Sequence, residues 1–224
     1  MDKICEDRRC GGYPVRPADM RLYAVTDRAW LKGRTLSEVV EQSCRGGVTF
    51  LQLREKHLSK EEFLAEAKEL KAIAEKYRIP FVINDDVKIA KESDADGVHI
   101  GQGDMELKKA REILGPDKII GVSAHSVEEA VLAEQNGADY LGVGAFHATD
   151  TKGDARVVSA QVYRQIRRAV SIPIVAIGGI TLENLHELKE YHVDGVALVS
   201  AIYASGDIEA ECRKLREEVE KIHS

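Results

Sequence analysis

The sequence predicts an α/β protein, a single closed (β/α)8 barrel with a short N-terminal extension. Eight short apolar runs alternate with eight segments whose apolar residues recur at helical spacing. The runs are apolar throughout, which indicates parallel strands covered by helices. A doubly wound open sheet is the rival architecture, but it would normally contain fewer strands in 224 residues. The count of eight strands therefore favours the closed barrel.

The predicted strands are short, and turn residues separate them from the helices. They cover Leu22–Val25, Val48–Leu53, Pro80–Asn84, Gly97–Ile100, Lys118–Ser123, Tyr140–Gly144, Ile172–Ile177 and Gly195–Val199. Thr35 and Ser59 each begin a helix, and the residues that follow Thr35 have the form of a capping box. Ser126 and Thr181 are predicted to begin two later helices, and an amphipathic helix over 208–222 closes the chain.

Similar phrases recur just before three of the strands. They are Ala95-Asp96-Gly97, Gly137-Ala138-Asp139 and Val193-Asp194-Gly195. Their position at the turn from a helix into a strand indicates a structural repeat that stabilises the barrel. We expect no chemistry from them.

Composition excludes several classes of partner. The net charge of −6 gives no basic surface for nucleic acid, and no apolar run reaches the length of a membrane span. We expect a cytoplasmic enzyme whose partners are small molecules. Whether it forms a homo-oligomer is left open by the sequence. Residues 1–19 are predicted to be an extension and residues 20–224 the catalytic barrel. The four cysteines are scattered and are expected to be free thiols in a reducing compartment.

Polar side chains or a glycine pair follow almost every predicted strand, at the end where such barrels carry their active sites. In chain order they are Gln52, Arg54, Lys56, Asn84, Asp85, Asp104, Ser123, His125, Thr149, Thr151, Lys152, Gly178, Gly179 and Ser200. A strand that leaves the core through a solvated turn would explain any one group. Their gathering at one end predicts a single site.

Two subsites separate by chemistry. Arg54, Lys56 and Lys152 are suited to a diphosphate, and Asp85 and Asp104 are hard oxygen ligands suited to Mg²⁺. Each aspartate taken alone could instead be a helix cap.

The second subsite is predicted where strands seven and eight end. Gly178-Gly179 and Val199-Ser200 are suited to a monophosphate, held by backbone N–H groups and by a helix that starts at Thr181. The residues alone thus indicate an enzyme that joins or rearranges two anionic substrates.

In order, these motifs resemble those of the thiamine phosphate synthase family, from Met20 to the last helix. The matching residues are Gln52-Leu53-Arg54-Glu55-Lys56, Ile83–Asp86, Gly97–Gln102 with Asp104, Gly121–Ser123 with His125, Thr149–Lys152, Ala176–Ile180 and Val199–Ile202. The resemblance implies a TIM barrel that couples hydroxymethylpyrimidine diphosphate to a thiazole phosphate. The products would be thiamine phosphate and pyrophosphate.

The resemblance also implies roles for individual residues. Those for the pyrimidine diphosphate are Gln52, Leu53, Arg54, Glu55, Lys56, Asn84, Ser123 and Lys152, of which Arg54, Lys56, Ser123 and Lys152 would be catalytic. Those for the thiazole phosphate are Thr149, Asp150, Thr151, Gly179, Val199 and Ser200. Asp85 and Asp104 would hold Mg²⁺. The implied mechanism is dissociative, so that pyrophosphate leaves before the thiazole nitrogen captures a pyrimidine carbocation.

One stretch departs from the family pattern. The family usually has an aromatic residue, proline and threonine before the Thr-Lys pair, whereas this chain has Phe146-His147-Ala148-Thr149. Neutral drift in a loop that keeps Thr149, Thr151 and Lys152 would explain this departure, and two alternatives to a synthase stay open. A thiazole tautomerase-like relative would use a histidine to move protons, and a non-catalytic barrel would sense a thiazole or thiamine phosphate. Retention of Asp85, Asp104 and the cations favours the synthase.

Overall fold

The computed structural model describes residues 15–148 and 157–223. Within them, eight parallel strands close into a barrel in chain order, with β8 paired to β1. The strands are β1 (Leu22–Val25), β2 (Phe50–Leu53), β3 (Phe81–Asn84), β4 (Gly97–Ile100), β5 (Ile119–Ala124), β6 (Tyr140–Gly144), β7 (Ile174–Ile177) and β8 (Gly195–Leu198). The predicted fold class is confirmed.

The helices lie outside the barrel, between successive strands. They are α1 (Leu36–Arg45), α2 (Lys60–Tyr77), α3 (Val87–Glu92), α4 (Leu107–Leu114), α5 (Val127–Gln135), α6 (Ala160–Ala169), α7 (Ser200–Tyr203) and α8 (Ile208–Ile222). Thr35 and Ser59 form capping boxes, and Ser126 caps α5, as predicted. Short 3-10 helices cover Pro17–Met20, Arg28–Trp30 and Leu185–Tyr191.

The prediction of a helix that begins at Thr181 is wrong. The Thr181 N–H donates to Asn184 Oδ1 at 2.8 Å, and the Asn184 amide donates to the Gly179 carbonyl at 2.9 Å. These two bonds close a turn, so the next regular element is the 3-10 helix Leu185–Tyr191. The turn residues thus bond to one another before a helix can start.

Two apolar layers fill the molecule. The larger one lies between strands and helices, where the side chains of one strand face meet the apolar stripes of the helices. The smaller one fills the barrel interior and includes Met20, Tyr23, Phe50 and Tyr140. Met20, at the end of the first 3-10 helix, is fully buried. The chain before β1 therefore helps to fill the N-terminal end of the barrel.

Aspartates of the recurring phrases bind the backbone at that N-terminal end. Asp96 accepts a hydrogen bond from the Phe81 N–H at 2.8 Å and forms an ion pair with Lys71 at 2.9 Å. In the same way, Asp139 accepts a hydrogen bond from the Ile120 N–H and pairs with Arg111. Asp194 accepts one from the Ile174 N–H and pairs with Arg167. The predicted structural role is confirmed. We call these contacts the strand-entry ties, because each carboxylate pairs an N–H in the first two residues of a strand.

Thr49 makes the corresponding tie between the first two strands. Its hydroxyl accepts from the Leu22 N–H at 2.9 Å, and its own N–H donates to the Leu22 carbonyl at 2.8 Å. The four ties therefore join β1 to β2, β3 to β4, β5 to β6 and β7 to β8.

None of the described helices is long and apolar enough to cross a membrane. Cys44 and Cys212 are buried free thiols, as expected, and Cys5 and Cys10 lie outside the described residues. Most of the predicted extension, residues 1–14, also lies outside them.

Candidate active site

The C-terminal ends of the strands surround a cavity of about 580 Å³. Most of the predicted site residues line it. They are Gln52, Arg54, Lys56, Asn84, Asp85, Asp104, Ser123, Gly179, Val199 and Ser200. Residues that lie up to 148 positions apart in the sequence thus meet in one space, as the barrel geometry predicts.

The end of β2 divides its side chains between two environments. Gln52, Arg54 and Lys56 line the cavity, in agreement with the alternation of side chains along an extended chain. Leu53 and Glu55 do not line it, so their assignment to the pyrimidine diphosphate gains no side-chain support and stays a prediction. Leu53 is fully buried in the layer beneath the helices, and only 3% of the Glu55 side chain is exposed.

Glu55 belongs to a charged cluster behind the cavity wall. Its carboxylate pairs with Arg28 at 2.7 Å, and Arg28 also binds Glu66. Burial, followed by the nearby Glu66 carboxylate, raises the pKa of Glu55 to about 7. The cluster anchors the segment whose neighbouring residues enter the cavity.

Arg54 is held in place from two sides. Its backbone N–H donates to the Thr26 hydroxyl at 2.9 Å, and its guanidinium lies 3.3 Å from the Asp27 carboxylate. Both partners follow β1, so the neighbouring strand fixes the direction of the guanidinium. A guanidinium held in this way is suited to bind phosphate oxygens.

Asp85 and Asp104 face each other across the ends of β3 and β4. Lys56 Nζ lies 2.7 Å from one oxygen of Asp85, and the Asn84 amide donates to the other at 2.6 Å. The Gly101 N–H donates to Asp104 at 2.7 Å. Burial raises the pKa of Asp85, and the Asp104 carboxylate raises it further, against the effect of Lys56. Two carboxylates thus meet where a cation would relieve their repulsion.

The pair fits a magnesium ion. Mg²⁺ prefers one or two protein carboxylates together with water and substrate phosphates. Among the described residues no group of three or more His, Cys, Asp or Glu side chains could enclose a metal. Two carboxylates open to the cavity are the donor set that leaves room for a substrate ligand. Asp86, by contrast, caps α3 through the N–H groups of Lys88 and Ile89.

The floor of the cavity consists of amide, hydroxyl and imidazole groups and was not anticipated from the sequence. The Gln52 amide donates to the Tyr23 hydroxyl at 2.5 Å, and the Tyr23 and Tyr140 hydroxyls are 2.8 Å apart. The Tyr140 hydroxyl lies 3.0 Å from His99 Nδ1, and His99 Nε2 lies 2.9 Å from Ser123 Oγ. These five side chains form a row that we call the floor network. Polar residues at interior positions of the strands were the only sequence signal for it.

The ends of β7 and β8 form the far wall. Gly178 and Gly179 have φ angles of +97° and +65°, which favour glycine. A Cβ atom on Gly179 would lie 2.7 Å from the Ala148 carbonyl oxygen, so the loop after β6 packs directly on this turn. No helix starts at Thr181 beside it. The short helix after β8 is α7, and its first residue, Ser200, lines the cavity.

Four predicted residues, Thr149, Asp150, Thr151 and Lys152, lie outside the described residues. His147, just before them, lies 3.4 Å from Glu187 and packs edge-on against Phe146. It is not among the described residues that line the cavity.

Comparison with known proteins identifies the family. The model of the thiamine monophosphate synthase family matches residues 22–202. The chain belongs to this family. Thiamine-phosphate synthase from Clostridium acetobutylicum is 51% identical over 92% of the chain and 98% of its own length. The enzyme of the same name from Clostridium tetani is 49% identical over 88% of the chain and 94% of its own length.

A solved structure supports the same placement. Thiamine phosphate pyrophosphorylase from Pyrococcus furiosus is 39% identical and superimposes with a TM-score of 0.86. The match covers 93% of this chain and 99% of that chain. The part matched by the thiamine monophosphate synthase model includes all of the predicted site residues, from Gln52 to Ser200.

Proposed function

We propose that the chain condenses hydroxymethylpyrimidine diphosphate with a thiazole phosphate to give thiamine phosphate and pyrophosphate. Its family membership makes it a transferase of thiamine biosynthesis. The observation that carries the proposal is that Arg54 and Lys56 lie with Asp85 and Asp104 above a floor that contains no carboxylate, lysine or arginine. Cations and a metal site suit a leaving pyrophosphate, and a floor of hydroxyl, amide and imidazole groups suits an uncharged ring.

The charged rim supports departure of pyrophosphate. Arg54 and Lys56 bind diphosphate oxygens in this proposal, and Asp27 holds the Arg54 guanidinium in position. Asp85 and Asp104 would hold Mg²⁺, which when bound neutralises charge on the departing group. Donors fixed in advance around developing negative charge lower the barrier by several kcal/mol, on the order of what one such group contributes in other enzymes.

The two buried phenols of the floor support a dissociative reaction. Burial raises the pKa of both Tyr23 and Tyr140, so both phenols stay protonated at neutral pH. Neither is therefore a nucleophile that would compete with the thiazole nitrogen. We propose that the bond to pyrophosphate breaks first, and that the thiazole nitrogen then captures the pyrimidine carbocation.

The thiazole phosphate is assigned to the opposite wall. Gly179, Val199 and Ser200 line the cavity there. We propose that Thr149, Asp150 and Thr151 complete this subsite and that Lys152 reaches the diphosphate. The buried free thiols support a reducing, cytoplasmic location.

The alternatives gain no support from the site. A tautomerase that used His147 would need its imidazole in the cavity, but the ring contacts Phe146 and Glu187. A non-catalytic sensor would have no use for paired carboxylates beside two cations.

The test is a product assay with purified protein, both substrates and Mg²⁺, in which thiamine phosphate is followed by chromatography. We expect product with Mg²⁺ and none with EDTA. Arg54→Ala should lose activity, whereas the matched control Arg45→Ala should keep it, because Arg45 pairs with Glu209 on the outer surface. A folded sample that binds thiazole phosphate but forms no product would refute the synthase proposal.

A further inference from the structure

The floor network has a direction, because each of its phenols carries a single proton. The Gln52 amide nitrogen can only donate, so Tyr23 accepts from it. Among the described residues, the Tyr140 oxygen is then the acceptor within reach of the buried Tyr23 proton, so Tyr23 donates to Tyr140 when both hydroxyls are paired. Tyr140 therefore donates to Nδ1 of His99. A neutral imidazole whose Nδ1 accepts carries its proton on Nε2. His99 accordingly donates to the Ser123 oxygen.

Packing keeps the two rings of this network in place. A Cβ atom on Gly121 would overlap the ring and hydroxyl of Tyr140, and one on Gly142 would lie 3.0 Å from Cε1 of His99. The neighbouring strands thus leave room for these rings only where they lack side chains. His99 is 8% exposed and Tyr140 is fully buried. Both are therefore part of a fixed scaffold beneath the substrate cavity.

We propose that His99 is a positioning residue that holds the Ser123 hydroxyl as a hydrogen-bond donor to the substrate. Because the Ser123 oxygen accepts from His99, the proton of its hydroxyl is directed away from His99 and towards the cavity. The floor then favours a substrate that has a hydrogen-bond acceptor above the end of β5. A substrate with a donor at that place would find no acceptor there. This inference rests on the proposed function and specifies that Ser123 is a hydrogen-bond donor within its site.

The tautomer can be measured without any enzymatic activity. Nitrogen NMR on protein labelled at its histidines separates protonated from unprotonated ring nitrogens, and His99→Gln identifies the His99 signals by their loss. We expect Nε2 to be protonated and Nδ1 to be unprotonated. A proton on Nδ1 would reverse the network and refute the proposal. This result stands whether or not the chain forms thiamine phosphate.

Two substitutions of His99 separate donation to Ser123 from packing. Glutamine places an N–H near the position of Nε2, whereas asparagine places its amide near Nδ1 and leaves Ser123 without the donor. We expect kcat/KM for the pyrimidine diphosphate to fall by about tenfold in His99→Asn, the scale of one hydrogen bond. His99→Gln should keep most of the wild-type value. Equal losses in the two variants would contradict the proposal.

A double-mutant cycle tests whether His99 acts through Ser123. We expect His99→Asn with Ser123→Ala to be no worse than Ser123→Ala alone, since the donor has then lost its acceptor. Additive losses would show that His99 acts independently. An active wild type with additive losses refutes this inference alone, whereas an inactive wild type refutes the proposed function.

A matched pair of tyrosines controls for buried hydroxyls. Tyr140→Phe removes the donor to His99 Nδ1, and Tyr163→Phe removes a buried hydroxyl that donates to the Val143 carbonyl outside the floor. We expect Tyr140→Phe to lower kcat/KM by about tenfold and Tyr163→Phe to change only the free energy of unfolding. Full activity in a folded Tyr140→Phe protein would contradict a directed network.

Discussion

Aspartates occur at both ends of this barrel, and they have different partners. At the N-terminal end, Asp139 binds the Ile120 N–H at 2.7 Å and Arg111 at 2.8 Å. At the C-terminal end, Asp85 faces a second carboxylate, Asp104, and its cationic partner is a half-exposed lysine. One carboxylate is bound to fixed backbone, and the other is bound to a group that can move.

The difference separates stability from chemistry. A carboxylate that pairs a strand N–H fixes the position of the strand, and its loss leaves a backbone donor without a partner. A carboxylate that repels its neighbour does not stabilise the fold through that contact, so we propose that its position serves a ligand. The two ends of the barrel thus make opposite predictions for the same substitution.

The largest effect is expected from Asp85→Asn combined with Asp104→Asn. Product formation should fall by about 1,000-fold or more, because the proposed metal ligands are lost. The free energy of unfolding should stay the same or rise, since two facing charges are removed. A metal-dependent product assay and urea unfolding measure the two quantities. Full activity in this double variant would refute the metal assignment and the functional difference between the aspartates at the two ends of the barrel.

Arg54→Ala should produce the next largest effect, on one substrate only. We expect kcat/KM for the pyrimidine diphosphate to fall by about 100-fold, the scale of a charged donor to phosphate. The affinity for thiazole phosphate, measured by calorimetry, should change little. Equal losses for both substrates would mean that the two walls of the cavity have been assigned wrongly.

Asp139→Ala should have the opposite result to the double variant at the C-terminal end. The free energy of unfolding should fall by about 2 kcal/mol, because the Ile120 N–H and Arg111 lose their partner. Below the unfolding temperature kcat should be unchanged. Glu190→Ala is the control, since that carboxylate is 73% exposed and pairs only with Arg164 among the described residues. A loss of kcat without loss of stability would contradict a purely structural role.

The smallest effect concerns Glu55, a carboxylate near the site but outside the cavity. Its pKa is raised to about 7 in the folded chain, so the folded state binds more protons than the unfolded state below that pH. Stability therefore falls as pH rises towards 7. Glu55→Gln should reduce this fall by about 1 kcal/mol between about pH 5 and pH 8.

Urea unfolding across this pH range provides the measurement. Glu190→Gln, on the exposed surface, should leave the pH dependence as it is in the wild type. An unchanged pH dependence in Glu55→Gln would show that Glu55 is ionised throughout.

Local patterns were sufficient to predict most of the fold. The caps at Thr35, Ser59 and Ser126 depend on side chains within three residues of the helix start. Closure of the barrel followed from counting strands. The helix start predicted at Thr181 was wrong because Asn184, three residues later, accepts a hydrogen bond from the Thr181 N–H. A turn and a helix start can have the same residue types at that spacing.

The site was predicted in outline only. Its rim could be identified because charged residues after apolar strands are conspicuous. Leu53 and Glu55 were included because a motif was carried over whole, although alternation along β2 already indicates that they point away. The floor network could not be found in this way, since Tyr23 and Tyr140 lie 117 residues apart and meet only across the closed barrel.

The strand-entry ties have a consequence for how the chain could be divided. They join strands in four consecutive pairs, and no tie described here links β2 to β3, β4 to β5 or β6 to β7. A break after β4 would leave every tie within one fragment, whereas a break after β3 would separate Phe81 from Asp96. Two polypeptides divided after β4 should therefore reassemble into a barrel more readily than two divided one strand earlier.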